Sequence, residues 1–451
     1  LTVAISITGL ATIGLDFITK LGIGSALGVV TTVLIANSLL ISVLRLLGHK
    51  VDRWKVPFLK QPDESEEARE KTLIARYGRF VTRRANIVFP VVLVGLLILA
   101  ASASVVRLGA SDQGTAPKNQ TSRQAYDLLA EGFGPGFNGP VPIVVDPRGD
   151  GQAAQRIYDA AKGKPGVAFV QEPIANKEGT LAIVNIVPTG APQDEATDNL
   201  VSDLRGTIVP DALKGSPAKA YVSGSTAAFR DIGDRILSRM PWFLLYIIGV
   251  TFVLLAMAFR SVVVALKAAL TTILSAFVGF GVLVFVIQNG NLLGLTGLDK
   301  TGPIETFVPP IAFAILFGLS MDYEVFLMSR IREEHVHGLN TRDSVEHGVA
   351  AIGRVIVAAA LIMSSVFIAF MLAPDRVSKE FGLLLAVAIL VDALIVRLTL
   401  VPALLALLKE RSWAMPGWLD RILPDVTIEP PSERTVSDVH TRSHAPAGHA
   451  D

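Results

Sequence analysis

Long apolar blocks separated by short polar connections run through most of the chain, and these blocks set the fold class before any single residue does. A bilayer crossing takes about 20 mostly apolar residues in helical form. Blocks of that kind predict membrane helices near residues 1–18, 21–47, 86–106, 240–259, 264–287, 306–329, 352–373 and 381–408, the first of them short. The pattern changes between the third and fourth. Across residues 107–239 short β-branched runs at 141–145, 167–170, 181–187 and 220–223 alternate with helical periodicity at 151–162 and 194–208. Strand, helix, strand, strand, helix, strand is the order of a split βαβ, ferredoxin-like unit. The expected fold is a polytopic α-helical membrane protein of about eight helices carrying one α/β βαββαβ domain.

Charge fixes an expected orientation, because Lys and Arg accumulate in cytosolic connections. Lys50, Arg53, Lys55, Lys60, Arg76, Arg79, Arg83 and Arg84 fall between the second and third blocks. Arg260 and Lys267, then Arg330 and Arg332, then Lys409 and Arg411, fall on the same side if every block crosses. This divides the chain into two helices (1–47), a cytosolic connecting loop (48–85), one helix (86–106), an extracytoplasmic domain (107–239), a five-helix bundle (240–408) and a cytosolic tail (409–451). The tail is polar, rich in Pro, Ser and His, and reads as disordered; its His440, His444 and His449 are spaced too irregularly for a metal site. Residues 330–351 read as an amphipathic helix lying on the membrane surface.

Composition narrows the function classes. Hydrophobic residues make up 51% and charged residues 18%, with a mean hydropathy of +0.50. The formal net charge of +1 gives no electrostatic footprint for nucleic acid, and the absence of cysteine removes thiolate chemistry. The Gly-rich segment 132–137 lacks the Gly-Lys-Ser/Thr of a phosphate loop. The chain opens on Leu1 inside an apolar run, which suggests a piece of a longer protein.

Ionisable residues inside apolar helices are then the functional candidates, because each is costly there. Asp322 closes the uncharged run 307–321, ahead of Arg330, and is expected to face a protein interior. Burial would raise its affinity for a proton and a cation or donor would lower it, so it could titrate as the helices move. Tyr323 follows directly but points about 100° away on a helix, so each needs a partner from another helix. Glu324 reads as a structural charge nearer the headgroups. Asp392 and Arg397 lie in the last helix, five residues apart, a spacing that does not pair side chains on an α-helical face. Arg397 is expected to reach toward the cytosolic surface. Ser364 and Ser365 either offer hydroxyls to a buried acid or bond their own backbone. Pro309-Pro310 predicts a kink at the top of the Asp322 helix.

Residues 317–327, Phe-Gly-Leu-Ser-Met-Asp-Tyr-Glu-Val-Phe-Leu, followed by Ser329-Arg330-Ile331-Arg332-Glu333-Glu334-His335, resemble the tenth-helix signature of the MmpL transporters. These belong to the resistance–nodulation–division superfamily. Gly353-Arg354-Val355-Ile356, residues 388–393 and Val401-Pro402-Ala403 support the resemblance, which covers Leu1 to about Trp418 and makes this the C-terminal part, from the fifth helix onward. It implies a twelve-helix, multi-pass inner-membrane exporter with two porter-like domains, found chiefly in actinobacteria. Proton influx would drive it, with no cofactor besides the proton gradient. Asp322 and Tyr323 would form half of a proton relay, whose other Asp-Tyr pair lies on a helix outside this sequence. Membrane lipids, a lipophilic substrate and the N-terminal half of the same protein are the implied partners, and a homo-oligomer is compatible.

Two rivals stand beside transport. An intramembrane aspartyl protease would pair Asp322 with Asp392, but Val391 stands where such enzymes carry Gly, and the α/β domain has no role in them. A sterol-sensing-like scaffold that binds lipid without transporting it shares the fold, which alone does not separate the two.

Overall fold

The computed structural model describes residues 2–48 and 72–422. Lys50, Arg53, Lys55 and Lys60 of the expected basic loop, and residues 423–451 with His440, His444 and His449, lie outside the described residues.

The helices that organise the structure are α1 (Thr2–Thr8), α2 (Asp16–Ile35), α3 (Leu73–Arg83), α4 (Ala85–Ala101), α5 (Thr121–Phe133), α6 (Ala153–Ala161), α7 (Glu195–Asp203), α8 (Ser225–Phe259), α9 (Val262–Leu283), α10 (Val308–Val336), α11 (Thr341–Phe370), α12 (Arg376–Leu390) and α13 (Val401–Leu408). Seven helical spans among the described residues are long and apolar enough to cross a membrane: Asp16–Leu47, Ala85–Val105, Ser225–Phe259, Val262–Gln288, Val308–Val336, Thr341–Phe370 and Arg376–Trp413. The eighth expected crossing is a shorter apolar unit, Thr2–Ile13. The chain is a multi-pass helical membrane protein.

Close approach of helix backbones holds the bundle together. A Cβ on Gly318 of α10 would stand 2.5 Å from Val3 Cα, so α1 lies against α10 only because that position has no side chain. A Cβ on Gly281 of α9 would collide with the Leu99 carbonyl of α4 in the same way. Inward residues form one continuous apolar core that includes Leu10, Phe243, Phe259, Val264, Phe317, Ile356, Leu384 and Val401. Large apolar residues on the outer faces, among them Leu27, Leu34, Ile87, Val91 and Ile362, are exposed, as expected of surfaces that meet lipid.

The α/β unit has its own core, built from Val141, Ile143 and Val145, from Val184 and Ile186, and from helix residues Ile157, Leu200 and Leu204. Its strands are β2 (Val141–Asp146), β3 (Val167–Val170), β4 (Ile174–Ala175), β5 (Ala182–Pro188) and β6 (Lys219–Val222), following β1 (Leu108–Gly109). The sheet order is β3-β5-β2-β6, with β4 also on β5, and every pairing is antiparallel. In β2, inward residues alternate strictly with half-exposed ones, and that period of two fixes the register. A separate parallel pairing joins β1 to β7 (Ile304–Glu305), tying the start of this unit to the loop ahead of α10.

Several sequence expectations change. The helix expected from 240 begins at Ser225, so α8 runs without a break from the α/β unit into the bundle. Part of the expected loop 48–85 is α3, capped by Thr72, whose Oγ1 accepts from Ala75 N at 3.2 Å. The start of the expected tail is folded: Ser412 is fully buried, and its carbonyl accepts from Ser261 Oγ at 2.7 Å. Pro309 and Pro310 sit in the first turn of α10, where no backbone N–H needs a helical partner, so they start that helix and do not kink it. Residues 330–351 are the end of α10, a turn and the start of α11, and form no separate surface helix.

Candidate functional site

Four ionisable side chains meet inside the bundle, each at most 4% exposed: Lys267 from α9, Glu324 from α10, and Asp392 and Arg397 from the helix after α12. Lys267 Nζ donates to Glu324 Oε1 at 2.5 Å, and Arg397 Nη1 donates to Glu324 Oε2 at 2.7 Å. Arg397 Nε donates to Asp392 Oδ2 at 2.9 Å. Two cations thus face two carboxylates, and the group is formally neutral. Removing charges from water costs several kcal/mol per ion, so such a set persists only where every charge is matched and hydrogen bonded.

Hydroxyls complete the matching. Ser275 Oγ donates to Asp392 Oδ1 at 3.0 Å and Ser320 Oγ to Asp392 Oδ2 at 2.9 Å. Ser320 is 2.9 Å from the Thr272 hydroxyl, and Arg397 Nη2 reaches both the Ser320 hydroxyl, at 2.7 Å, and its carbonyl. Three helices are therefore joined by one continuous hydrogen-bonded chain.

The local backbone makes this possible. Val391–Leu400 is π-helical, with hydrogen bonds spanning five residues, so residues five apart become neighbours. The spacing that separates Asp392 from Arg397 on an α-helix brings them together here. Arg397 does not reach the surface; it is 2% exposed and bonded on both sides.

Asp322 lies two residues before Glu324, about 200° around the helix, and so faces the opposite way. Its carboxylate is exposed on the outer face of the described chain and accepts from Thr2 Oγ1 of α1 at 2.8 Å. The expectation of an interior-facing side chain is not met within the described residues, because the interior side of α10 belongs to Ser320 and Glu324. Tyr323 is half-buried, between the two directions. The remaining predicted residues sit apart: Ser364 is buried and bonds the Ala386 carbonyl at 3.5 Å, while Ser365 bonds Ile362 O of its own helix at 2.7 Å. Neither serine meets a carboxylate. Asp322 and Asp392 are engaged with different partners on opposite sides of α10, an arrangement unlike a protease dyad.

Sequence reasoning passed over Lys267 and Glu324, one read as a flanking orientation charge and the other as a headgroup contact. A signal was present: Lys267 is the only ionisable residue in Val262–Gln288, and a single charge within an apolar span calls for a buried partner. Among the described residues no group of three or more His, Cys, Asp or Glu side chains is arranged to hold a metal ion.

The membrane protein YdfJ of Bacillus subtilis is 37% identical over 95% of this chain and 58% of its own length. The mycolic acid-containing lipids exporter MmpL11 of Mycolicibacterium smegmatis is 35% identical over 96% of this chain and 46% of its own. The trehalose monomycolate exporter MmpL3 of the same organism is 28% identical over 93% and 45%. This chain spans about half the length of the curated relatives it matches. Among solved structures, SecDF in its super-membrane-facing form covers 98% of this chain and 49% of its own at 14% identity and a TM-score of 0.38, too low to carry an argument. The MMPL family pattern matches residues 1–88 and 141–430, more than half of the sequence. The chain belongs to the MMPL family.

Proposed function

We propose that this chain supplies one half of a transporter that exports lipids or other hydrophobic molecules across the inner membrane, driven by inward proton flow. The observation that carries the reading is the two-faced middle of α10. Asp322 stands on its outer face, where a second set of helices could meet it, and Glu324 on its inner face is locked into the buried charge network. Protonation of Asp322 would remove a charge from the outer face, and the rigid hydrogen-bonded chain behind it would carry the resulting tilt of α10 to α9 and to the helix after α12. Tyr323, half-buried between the two faces, would share a proton with a partner arriving from outside. The relatives named as lipid exporters support a lipophilic substrate.

The strand order β3-β5-β2-β6, with α6 between β2 and β3 and α7 between β5 and β6, supports reading the α/β unit as a ferredoxin-like porter domain. In this reading it stands on the extracytoplasmic side, opposite the basic end of the bundle.

The test is Asp322→Asn in the full-length protein, reconstituted in vesicles with an imposed pH gradient. Loss of gradient-driven lipid movement in a variant that unfolds at the parent temperature supports the relay. Retained transport refutes it. Lipid binding without gradient-driven movement in the parent itself would favour a non-transporting scaffold.

A further inference from the structure

A cavity of about 650 Å³ opens at the basic end of the bundle, between the α3–α4 corner, the start of α11 and the end of α13. Arg83, Arg342 and Lys409 line it, with the Asn86 amide and one carboxylate, Glu410. The acids nearby are already engaged. Glu410 Oε1 accepts from Thr341 Oγ1 at 2.8 Å and its other oxygen lies 3.4 Å from His335. Glu346, beside the cavity, accepts from Thr82 at 2.5 Å and from Arg342 at 3.3 Å. Among the described residues, Arg83 and Lys409 have no side-chain partner. Lys409 also holds φ at +51°, a conformation side chains rarely adopt, on the turn that presents it.

A second feature begins at the mouth of the cavity. Pro90 and Leu97, exposed, and Leu93, half-buried, follow Asn86 at helical spacing on α4, making an apolar stripe that runs from the cavity rim along the membrane-crossing helix. A cationic cup at the water boundary, continued by an apolar track into the bilayer, matches the outline of an anionic phospholipid, phosphate above and acyl chains below.

We propose that this cavity binds the phosphate headgroup of one anionic phospholipid, with Arg83 and Lys409 as its charge partners and the α4 stripe as the bed for its chains. Arg342 and Asn86 complete the rim. The ligand is a component of the surrounding leaflet, and its site is independent of the proton-coupling residues. Held there, a lipid would brace the α3–α4 corner against α11 and α13.

Native mass spectrometry of the full chain in detergent, with dioleoyl phosphatidylglycerol, dioleoyl phosphatidylcholine or inorganic phosphate added, tests this. One phosphatidylglycerol should be retained in preference to phosphatidylcholine. R83Q/K409Q should weaken that retention on the order of 30-fold and K409Q alone about fivefold, at about 1 kcal/mol per surface cation. R148Q, in the α/β unit, should bind as the parent does. Both lipid-site residues are exposed, and an unchanged unfolding temperature for each variant confirms that binding, not folding, was altered. Equal retention of the two lipids, or unaltered binding by K409Q and the double variant, overturns the proposal. Displacement of phosphatidylglycerol by millimolar phosphate would assign a free-anion site and overturn it as well.

Discussion

Asp392 and Arg397, five residues apart, lie 2.9 Å from each other because the backbone between them is π-helical. That one irregularity lets a single arginine serve two carboxylates on two helices. It also places the charge network in the middle of the bundle and away from its surface.

Breaking the network from one side should be severe. Arg397→Met leaves Glu324 with one cation and Asp392 with none, and losing one partner of a buried pair costs about 3–5 kcal/mol. Lys267→Met should be destabilising for the same reason. The double variant K267M/E324M removes opposite charges together and should recover a large part of the loss, since the Arg397–Asp392 pair is left intact. Thermal unfolding in detergent measures all three; additive losses in the double variant would contradict the coupling.

Asp322→Asn should behave differently. Its carboxylate is exposed and has one modest partner, Thr2, so the stability change should stay within about 1 kcal/mol. Set against Glu324→Gln measured by the same unfolding assay, it separates a residue kept for coupling from one required for assembly. A large loss of stability in Asp322→Asn would show that the acid has a packing role.

The α1–α10 contact can be tested at Gly318. A leucine there would push its Cβ against the Val3 backbone, and over-packing of a tight contact costs about 1–3 kcal/mol. Gly318→Ala should cost less and Gly318→Leu should detach α1, read as new protease cleavage within residues 2–13. A leucine variant with parent stability and protection would refute the close approach.

Acid dependence should come from the loop and the α/β unit. Asp112, which accepts from Tyr126 Oη at 3.0 Å and from Gly114 N at 2.8 Å, is held above its ordinary 3.8 chiefly by burial, which outweighs these hydrogen bonds and the nearby Lys300 and Arg123. Burial also raises Glu305 above 4.5, although Ser111 donates to it and Arg376 stands near. An acid raised in the folded state binds its proton more tightly there than in the unfolded chain. Its contribution is complete below the unfolded pKa and is lost as pH rises through the folded value. Stability should therefore fall as pH climbs from about 4, and Asp112→Asn should flatten part of that slope. Unfolding midpoints of parent and variant across pH 4–7 check it; parallel curves would remove Asp112 as a source.

Much of the α/β unit was legible along the chain. The β-branched runs 141–145 and 167–170 and the helical period of 151–162 mark elements on their own, and the observed β2, β3 and α6 fall on them. The apolar blocks were equally plain, because a bilayer-crossing segment advertises itself by length and composition. The site was legible only in part. Asp392 and Arg397 stood out as charges in an apolar helix, yet their pairing depends on a π-helical register that sequence spacing read as α-helical denies. Glu324 looked peripheral because it lies two residues past Asp322 toward a basic cluster, and distance along a helix says little about which way a residue faces.

The sequence by itself determined that this is a multi-pass membrane chain with an α/β insert and a costly acid at position 322, since apolar length, alternation and intramembrane charge are local properties. Only the tertiary structure decided which acid is buried. Glu324 turns inward to Lys267 and Arg397 and Asp322 turns outward to Thr2, because burial is set by the helices that pack around α10, contributed by residues more than fifty positions away in either direction.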